Sequence, residues 1–277
     1  MKERQARSVG VDVGGTLAKI AVRNPAGGLE FRFEPAIALD EVAELVAERK
    51  PERLGITGGG AAELAKRLGA EAVAVNEFAA WGAGAKALLE AGGGDAGERY
   101  LLASVGTGTS VMLVDGMAVQ RVGGTGLGGG TIVGLGALLL ETKSFADLVA
   151  LAAKGDRRRV DLLVSDIYRR AGEIPLAADL TAANFGKAAQ RSAPPADPAD
   201  VAHALMGLVG ESIALICAGL RTALQVRHVV FGGATLRENA PLTDILAQIL
   251  GFTGTRTTFL ENGEHTGALG ALLLAES

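Results

Sequence analysis

Cysteine, histidine, proline and surplus positive charge are what this chain has least of. A single cysteine, Cys217, in 277 residues leaves no partner for an internal disulfide, which favours a reducing setting and predicts a cytoplasmic protein. Cys217 lies in the apolar run "ESIALICAGLRTAL" and is expected to be a small core residue. The three histidines, His203, His228 and His265, stand far apart, and none has a partner at zinc-site spacing. Eight prolines and no tripeptide period exclude collagen and low-complexity disorder, although glycine, at 40 residues, is roughly twice its usual share. The formal net charge of −4 excludes the broad basic field of a general nucleic-acid binder. Charge and glycine clusters interrupt every apolar stretch before about 18 residues, so no membrane span is expected. The start, "MKERQARSVGVDVGG", has charges and a glycine-broken strand where a signal peptide has an apolar core.

What is present is an alternation of short apolar runs and amphipathic stretches, which predicts an α/β protein. "SVGVDV" (Ser8–Val13), "LAKIAV" (Leu17–Val22) and "LEFRFE" read as a meander of strands. "LDEVAELVAER" reads as a helix with Asp40 as its N-cap. "RLGIT", "AAELAKRL", "EAVAV" and "EFAAWGAGAKALLEA" continue as strand, helix, strand and helix. The glycine-rich break "AGGGDAGE" (Ala91–Glu98) divides the chain into expected lobes of residues 1–95 and 96–277. After it the pattern restarts with strand "YLLASV", a Gly106–Gly108 turn, and strands "TSVMLVD" and "MAVQRV". Each half therefore opens with a strand, a glycine-threonine turn and a strand, a weak internal repeat. Helices "GTIVGLGALLLE" and "SFADLVALAAK" and a long one from about Pro198 to Val226 follow. Strand "HVVFGG", helix "NAPLTDILAQIL", strand "TRTTFL" and helix "TGALGALLLAE" complete the chain, with a surface loop over Arg191–Asp200.

The chemistry concentrates in a few segments. In "VGVDVGGTLAK" a strand delivers Asp12 to its end, and Gly14, Gly15 and Thr16 turn the chain with bare N–H groups outward. Such a turn suits phosphate oxygens, a carboxylate beside it can hold magnesium through water, and Lys19 supplies a point charge. A plain glycine hairpin is the competing reading. "SVGTGTS" (Ser104–Ser110) repeats the device, and two such turns suggest two loops closing on one nucleotide. "QRVGGTGLGGGTIVGLG" (Gln120–Gly136) runs a glycine loop into a helix at about Gly130, whose N-terminus favours an anion. Its match to a dinucleotide GxGxxG lacks the long buried strand which that motif requires, and no GxxxxGK[ST] run exists. Close helix–sheet packing would explain the same glycines. Glu77, just past a strand and in a helix's first turn, either complements the helix dipole or accepts a hydroxyl proton in a cleft. Arg121 is either a solvated hairpin arginine or a bidentate contact for a substrate anion.

Taken in order, "GVDVGGTLAK", "NEF", "SVGTGTS", "RVGGTGLGGGTIVGLG", "DLTAANFG" (Asp179–Gly186), "VVFGG" and "ENGEHTGALGALL" resemble type II pantothenate kinases. These belong to the acetate and sugar kinase/Hsp70/actin superfamily, and the resemblance runs from about Val9 to the C-terminus. It implies two RNase-H-like lobes with ATP, Mg²⁺ and pantothenate between them, and a homodimer; the long helix from about Pro198 to Val226, apolar on more than one face, is the expected dimerisation helix. It implies Glu77 as the catalytic glutamate and Asp12 to Lys19 as the first phosphate loop, with Asp12 beside the magnesium. Thr107 would touch nucleotide phosphate and substrate, and Arg121 would hold pantothenate. Gly129, Gly130, Thr131, Ile132 and Val133 would form the loop around the nucleotide, and Phe145 and Gly233 would line the adenine site. The chain departs from the family pattern at Ala79, where an acid is usual, at Phe145 for tyrosine and at Gly233 for serine. The expected reaction is ATP-dependent phosphorylation of pantothenate, the first step towards coenzyme A. A kinase of another hydroxylated substrate and an actin-like nucleotide switch are the alternatives.

Overall fold

The computed structural model describes residues 6–69, 72–168, 177–190 and 196–277. Two five-stranded mixed sheets carry the architecture. The first half supplies β1 (Ser8–Val13), β2 (Leu17–Arg23), β3 (Leu29–Pro35), α1 (Leu39–Arg49), β4 (Arg53–Thr57), α2 (Ala61–Leu68), β5 (Val73–Ala74) and α3 (Glu77–Ala91). The second half opens with β6 (Arg99–Val105), β7 (Thr109–Asp115), β8 (Ala118–Thr125), α4 (Gly129–Leu140) and α5 (Phe145–Ala152). It continues with β9 (Leu162–Leu163), α6 (Val164–Ile167), β10 (Thr181–Ala183) and α7 (Pro198–Ala223). The end of the chain forms β11 (His228–Gly232), α8 (Ala240–Phe252), β12 (Arg256–Phe259) and α9 (Thr266–Glu276).

The strand orders are β3-β2-β1-β4-β5 and β12-β11-β6-β7-β8. In each sheet three strands run antiparallel as a meander, and the first of them continues into two parallel neighbours. The two halves thus share one topology, which makes the weak sequence repeat a repeat of architecture. β1 is buried along its whole length, as its unbroken apolar run requires for a central strand covered on both faces.

Glycine sets how closely the last helix approaches the first sheet. A Cβ on Gly10 of β1 would lie 2.0 Å from the Ala268 carbonyl, and one on Gly55 of β4 would lie 2.0 Å from that of Ala271. From the other side, a Cβ on Gly270 would lie 1.7 Å from the Ala80 carbonyl of α3. α9 therefore sits at backbone contact with β1, β4 and α3. At the junction of the two halves, the His265 ring stacks at 4.8 Å on Phe31 and lies 4.4 Å from Phe33. Arg237 lies over the other ring of that pair, 5.0 Å from the Phe33 centroid. Burial first, then Arg237 and Lys19, pull the His265 pKa down to about 4.

Several local expectations need correction. Asp40 does not cap α1: Ala38 occupies the cap position without a side-chain bond, and Asp40 lies in the first turn, paired with Arg67. The strand expected over "EAVAV" shortens to Val73–Ala74, and Glu71 lies outside the described residues. The long helix ends at Ala223. It is also apolar enough to cross a membrane by length and composition, but 61% of its most apolar stretch is buried inside the fold. Cys217 on this helix is fully buried, and burial pushes its thiol pKa up to about 12, so it is an inert core residue. Residues 1–5 and 191–195, which carry the start of the chain and part of the expected Arg191–Asp200 loop, lie outside the described residues.

Candidate active site

The site begins with hydrogen bonding between neighbouring strands. Asp12, near the end of β1, is in register with Thr57 of β4. The Thr57 hydroxyl donates to the Val75 carbonyl at 2.9 Å, which fixes the chain just before α3. Asn76 then caps α3, its side-chain oxygen accepting from the amides of Phe78 and Ala79. With the cap supplied by Asn76, Glu77 is left without a hydrogen-bonding duty in its helix. Burial raises its pKa, the Asp12 carboxylate raises it further, and Lys19 opposes both. Three charged groups brought from two segments of the first lobe thus act on one another.

Asp12 itself is 4% exposed. Desolvation raises its pKa against the pull of Lys19, whose Nζ is 3.9 Å away. Room for the carboxylate is kept by glycine: a Cβ on Gly267 in the first turn of α9 would lie 2.5 Å from Asp12 Oδ2. A helix N-terminus therefore faces this carboxylate and favours its charge. Among the described residues no group of three histidine, cysteine or carboxylate side chains forms a metal cage. One buried carboxylate without a side-chain hydrogen bond is the donor set that suits magnesium, which keeps several waters and takes substrate phosphates as ligands.

The two glycine-threonine turns meet across the halves. Thr16 Oγ1 and Thr107 Oγ1 lie 2.9 Å apart. Beside them opens a cavity of about 530 Å³. Of the residues expected around the nucleotide, Thr16, Lys19, Thr107, Gly129, Gly130, Val133 and Phe145 line it together. Leu17 and Gly106, within the two expected phosphate turns, also line it, and Gly134, Ala234 and Thr235 join them without having been singled out from the sequence. Thr235 had a weak signal, a hydroxyl two residues beyond the end of the "VVFGG" strand. Its hydroxyl donates to the Gly106 carbonyl at 2.7 Å, tying the turn after β6 to the segment after β11.

The glycine loop performs the close-packing task, one of the two readings open in its sequence. The amides of Gly129 and Gly130 donate to the Gly106 and Thr107 carbonyls at 2.8 and 2.9 Å. They seat the N-terminus of α4 on the β6–β7 turn, so these two N–H groups are engaged within the fold. A Cβ on Gly128 would lie 2.6 Å from the Gly106 carbonyl, which explains the glycine there. The amides of Gly15, Thr16 and Thr107, in contrast, take no part in backbone hydrogen bonds among the described residues. Thr131 stays at the loop, its hydroxyl donating to the Gly126 carbonyl. Ile132 is fully buried and contributes only core packing. Gly233 adopts φ +118, and a Cβ there would lie 2.2 Å from the Val105 carbonyl, so this backbone admits no serine.

Arg121 lies on the exposed side of β8, opposite Met112, where a bulge shifts the β7–β8 register. One of its Nη atoms is 2.6 Å from where a Cβ on Gly124 would stand. Gly124 in turn has φ +152, and the Thr109 carbonyl lies beside it. The guanidinium is thereby laid over bare backbone two residues from Thr107, with no carboxylate paired to it among the described residues. Gly14 similarly leaves space for the Lys19 ammonium, which a Cβ would approach to 2.7 Å.

Comparison with known proteins places this arrangement. The Fumble family model matches residues 98–274. A protein named type II pantothenate kinase from Staphylococcus aureus strain MRSA252 is 36% identical over 268 residues, covering 97% of this chain and 99% of that protein. Its counterpart from strain USA300 is 36% identical over 266 residues, 96% of this chain and 98% of that protein. Among solved structures, a ROK family glucokinase from Streptomyces griseus in complex with glucose and AMPPNP aligns with a TM-score of 0.58 at 17% identity, covering 97% of this chain and 99% of that one. The activator of the 2-hydroxyisocaproyl-CoA dehydratase from Clostridium difficile with bound ADPNP aligns at 0.61 and 15%, covering 97% and 93%. These structures share the actin-like ATPase fold with this chain.

Proposed function

The chain belongs to the type II pantothenate kinase (Fumble) family, and from that premise we propose that its cleft transfers the γ-phosphoryl group of ATP to the terminal hydroxyl of pantothenate. The observation that carries this reading is the meeting of the Thr16 and Thr107 turns at the rim of one 530 Å³ cavity, a volume in the range of small-molecule sites. ATP phosphates lie against the free amides of Gly15, Thr16 and Thr107 and near the Lys19 ammonium, and the base stacks towards Phe145. Asp12 would hold a magnesium ion through water, and that ion supplies compensation for charge on the phosphates. The pantothenate hydroxyl oxygen attacks the γ-phosphorus as the bond to the bridging β–γ oxygen breaks. Glu77 accepts the hydroxyl proton, and ADP leaves. Burial first, and then the Asp12 carboxylate, raise the Glu77 pKa towards the working range of a general base.

Arg121 binds the pantothenate carboxylate. Truncating one side of such a charge-assisted pair leaves the other side desolvated and unpaired, at a cost of about 2–4 kcal/mol. Arg121→Ala should therefore lower kcat/KM for pantothenate roughly 30- to 1000-fold. Pantetheine, which keeps the hydroxyl and lacks the carboxylate, should lose much less, and KM for ATP should hardly move. Steady-state kinetics on both acceptors test this. Equal losses on the two would assign Arg121 to the phosphates or to the fold. The protein further works as a cytoplasmic homodimer built on α4 and α7, which leave Leu138, Leu139 and Leu215 between 52% and 79% exposed.

A further inference from the structure

A second cavity, of about 570 Å³, lies at the other end of the second sheet. β6, β11 and β12 run parallel, so their C-terminal ends gather at the cleft and their N-terminal ends gather here. Arg227 precedes β11 and His228 opens it, Arg256 opens β12, and the Asp95–Gly97 turn leads into β6. Arg221, in the last turn of α7, completes the lining. None of these residues belongs to the nucleotide cleft.

The charge in this cavity is unbalanced. Three arginines, of which Arg227 and Arg256 are exposed and Arg221 half-buried, line it with one carboxylate, Asp95, a surplus of two positive charges in a chain whose net charge is −4. Asp95 is already engaged, its Oδ1 accepting from the Gly97 amide at 2.6 Å. Neighbouring Arg99 pairs with Asp115 at 3.0 Å, whereas Arg221, Arg227 and Arg256 form no ion pair among the described residues. The C-terminal ends of α7 and α8 lie close by, since Arg221 donates to the Thr253 carbonyl at 3.3 Å. Two helix ends offset about one positive charge together, so they leave the surplus only partly answered. One polar atom of the lining, Arg221 Nε, is buried without a hydrogen-bond partner, and the His228 ring lies against the Ala96 backbone. His228 is 4% exposed, and its Nε2 is already matched with the Thr258 hydroxyl at 2.9 Å.

We propose that this cavity binds a small phosphate monoester, remote from the kinase cleft. Guanidinium forks match the geometry of phosphate oxygens, and a dianion answers the uncompensated charge that a carboxylate would only half meet. The cavity is far larger than one phosphate group and falls in the range of sites for small organic molecules. The phosphate is the recognised group, and the remainder of the molecule fills the space between Gly97 and Gly254.

Calorimetric titration of the full chain with phenyl phosphate and, separately, with inorganic phosphate tests the site. The comparison protein is Arg227→Gln/Arg256→Gln, whose changes lie outside the kinase cleft. The expected result is saturable binding of phenyl phosphate, one per chain, weakened at least about 10-fold in the double variant with ADP-forming turnover retained. Tighter binding of phenyl phosphate than of inorganic phosphate identifies an organic ligand, and the reverse order identifies free phosphate; both orders uphold the site. If the glutamine variant does not fold, Arg227→Lys/Arg256→Lys replaces it and should bind with a partial loss, because it keeps the charge and loses the forks. Absence of saturable binding, or equal binding by wild type and variant, would overturn the proposal.

Discussion

In the proposed reaction the chemistry turns on Glu77, and the environment of that residue explains why a carboxylate could serve there. Asn76 has taken over the capping of α3, while desolvation and Asp12 lift the Glu77 pKa above its ordinary value. As pH falls through that raised pKa the carboxylate takes up a proton and can no longer accept one from the acceptor hydroxyl. Turnover should therefore decline on the acid side at a higher pH than an ordinary glutamate would give. Glu77→Gln should lower kcat by about 100-fold or more, leave nucleotide affinity nearly intact, and erase that acid limb from the pH–rate profile. Near-normal turnover in this variant would remove Glu77 from the mechanism. The position of Glu77, past a strand and at a helix start, is legible in the sequence. Its electrostatics are not, because Asp12 and Lys19 act from the far side of a strand crossover. Gly233 teaches the converse lesson. As a family position it reads as a lost serine hydroxyl, and only the backbone reveals that φ +118 and the Val105 carbonyl leave no place for one.

At the scale of elements, the seating of α4 decides the shape of the nucleotide cavity. Its first two amides bond to the Gly106 and Thr107 carbonyls, and Gly128 lets the segments touch. Gly128 has φ 174, which any residue can adopt, so the requirement comes from contact alone. Gly128→Ala would push α4 away from the β6–β7 turn, costing about 1–3 kcal/mol as overpacking does. We expect a lower Tm together with a raised KM for ATP. A lower Tm with an unchanged KM for ATP would separate this contact from the nucleotide site. Periodicity in the sequence found nearly every long element, because those elements answer to local pattern. It missed β9 and β10, which are held by a buried cluster in which Arg157 bonds the Thr181 hydroxyl and pairs with Glu211 at 2.8 Å. The Thr181 amide also donates to Glu211 Oε2 at 3.3 Å. Partners drawn from α7 and a segment earlier in the chain leave no periodic trace.

Across the whole molecule, two sheets of identical strand order face one cleft, and α9 returns from the second half to pack on the first. The repeat was legible in outline, as a strand, glycine-threonine turn and strand opening each half. The return of α9 was not, since its glycines mark a close approach without naming what approaches. The apolar residues of α7 face inward more than the sequence suggests: Val209, Ile213 and Cys217 are buried in the core of the second half, and Leu205 is buried as well. The proposed dimer surface rests instead on the exposed Leu215 of that helix with the exposed Leu138 and Leu139 of α4. Light scattering at micromolar concentration should give twice the 28.1 kDa chain mass, and Leu138→Glu/Leu215→Glu should shift it towards the monomer. A monomeric mass for the wild type would reject the interface. The central claim, that the cleft passes phosphate to pantothenate, is tested most directly by ADP release from ATP with pantothenate, with glucose and with no acceptor. A pantothenate kinase releases ADP at an enzymatic rate with pantothenate, and with glucose it releases no more than with water alone. ADP release that is the same in all three would mark a nucleotide switch, and preference for glucose would mark a sugar kinase; either would contradict the account.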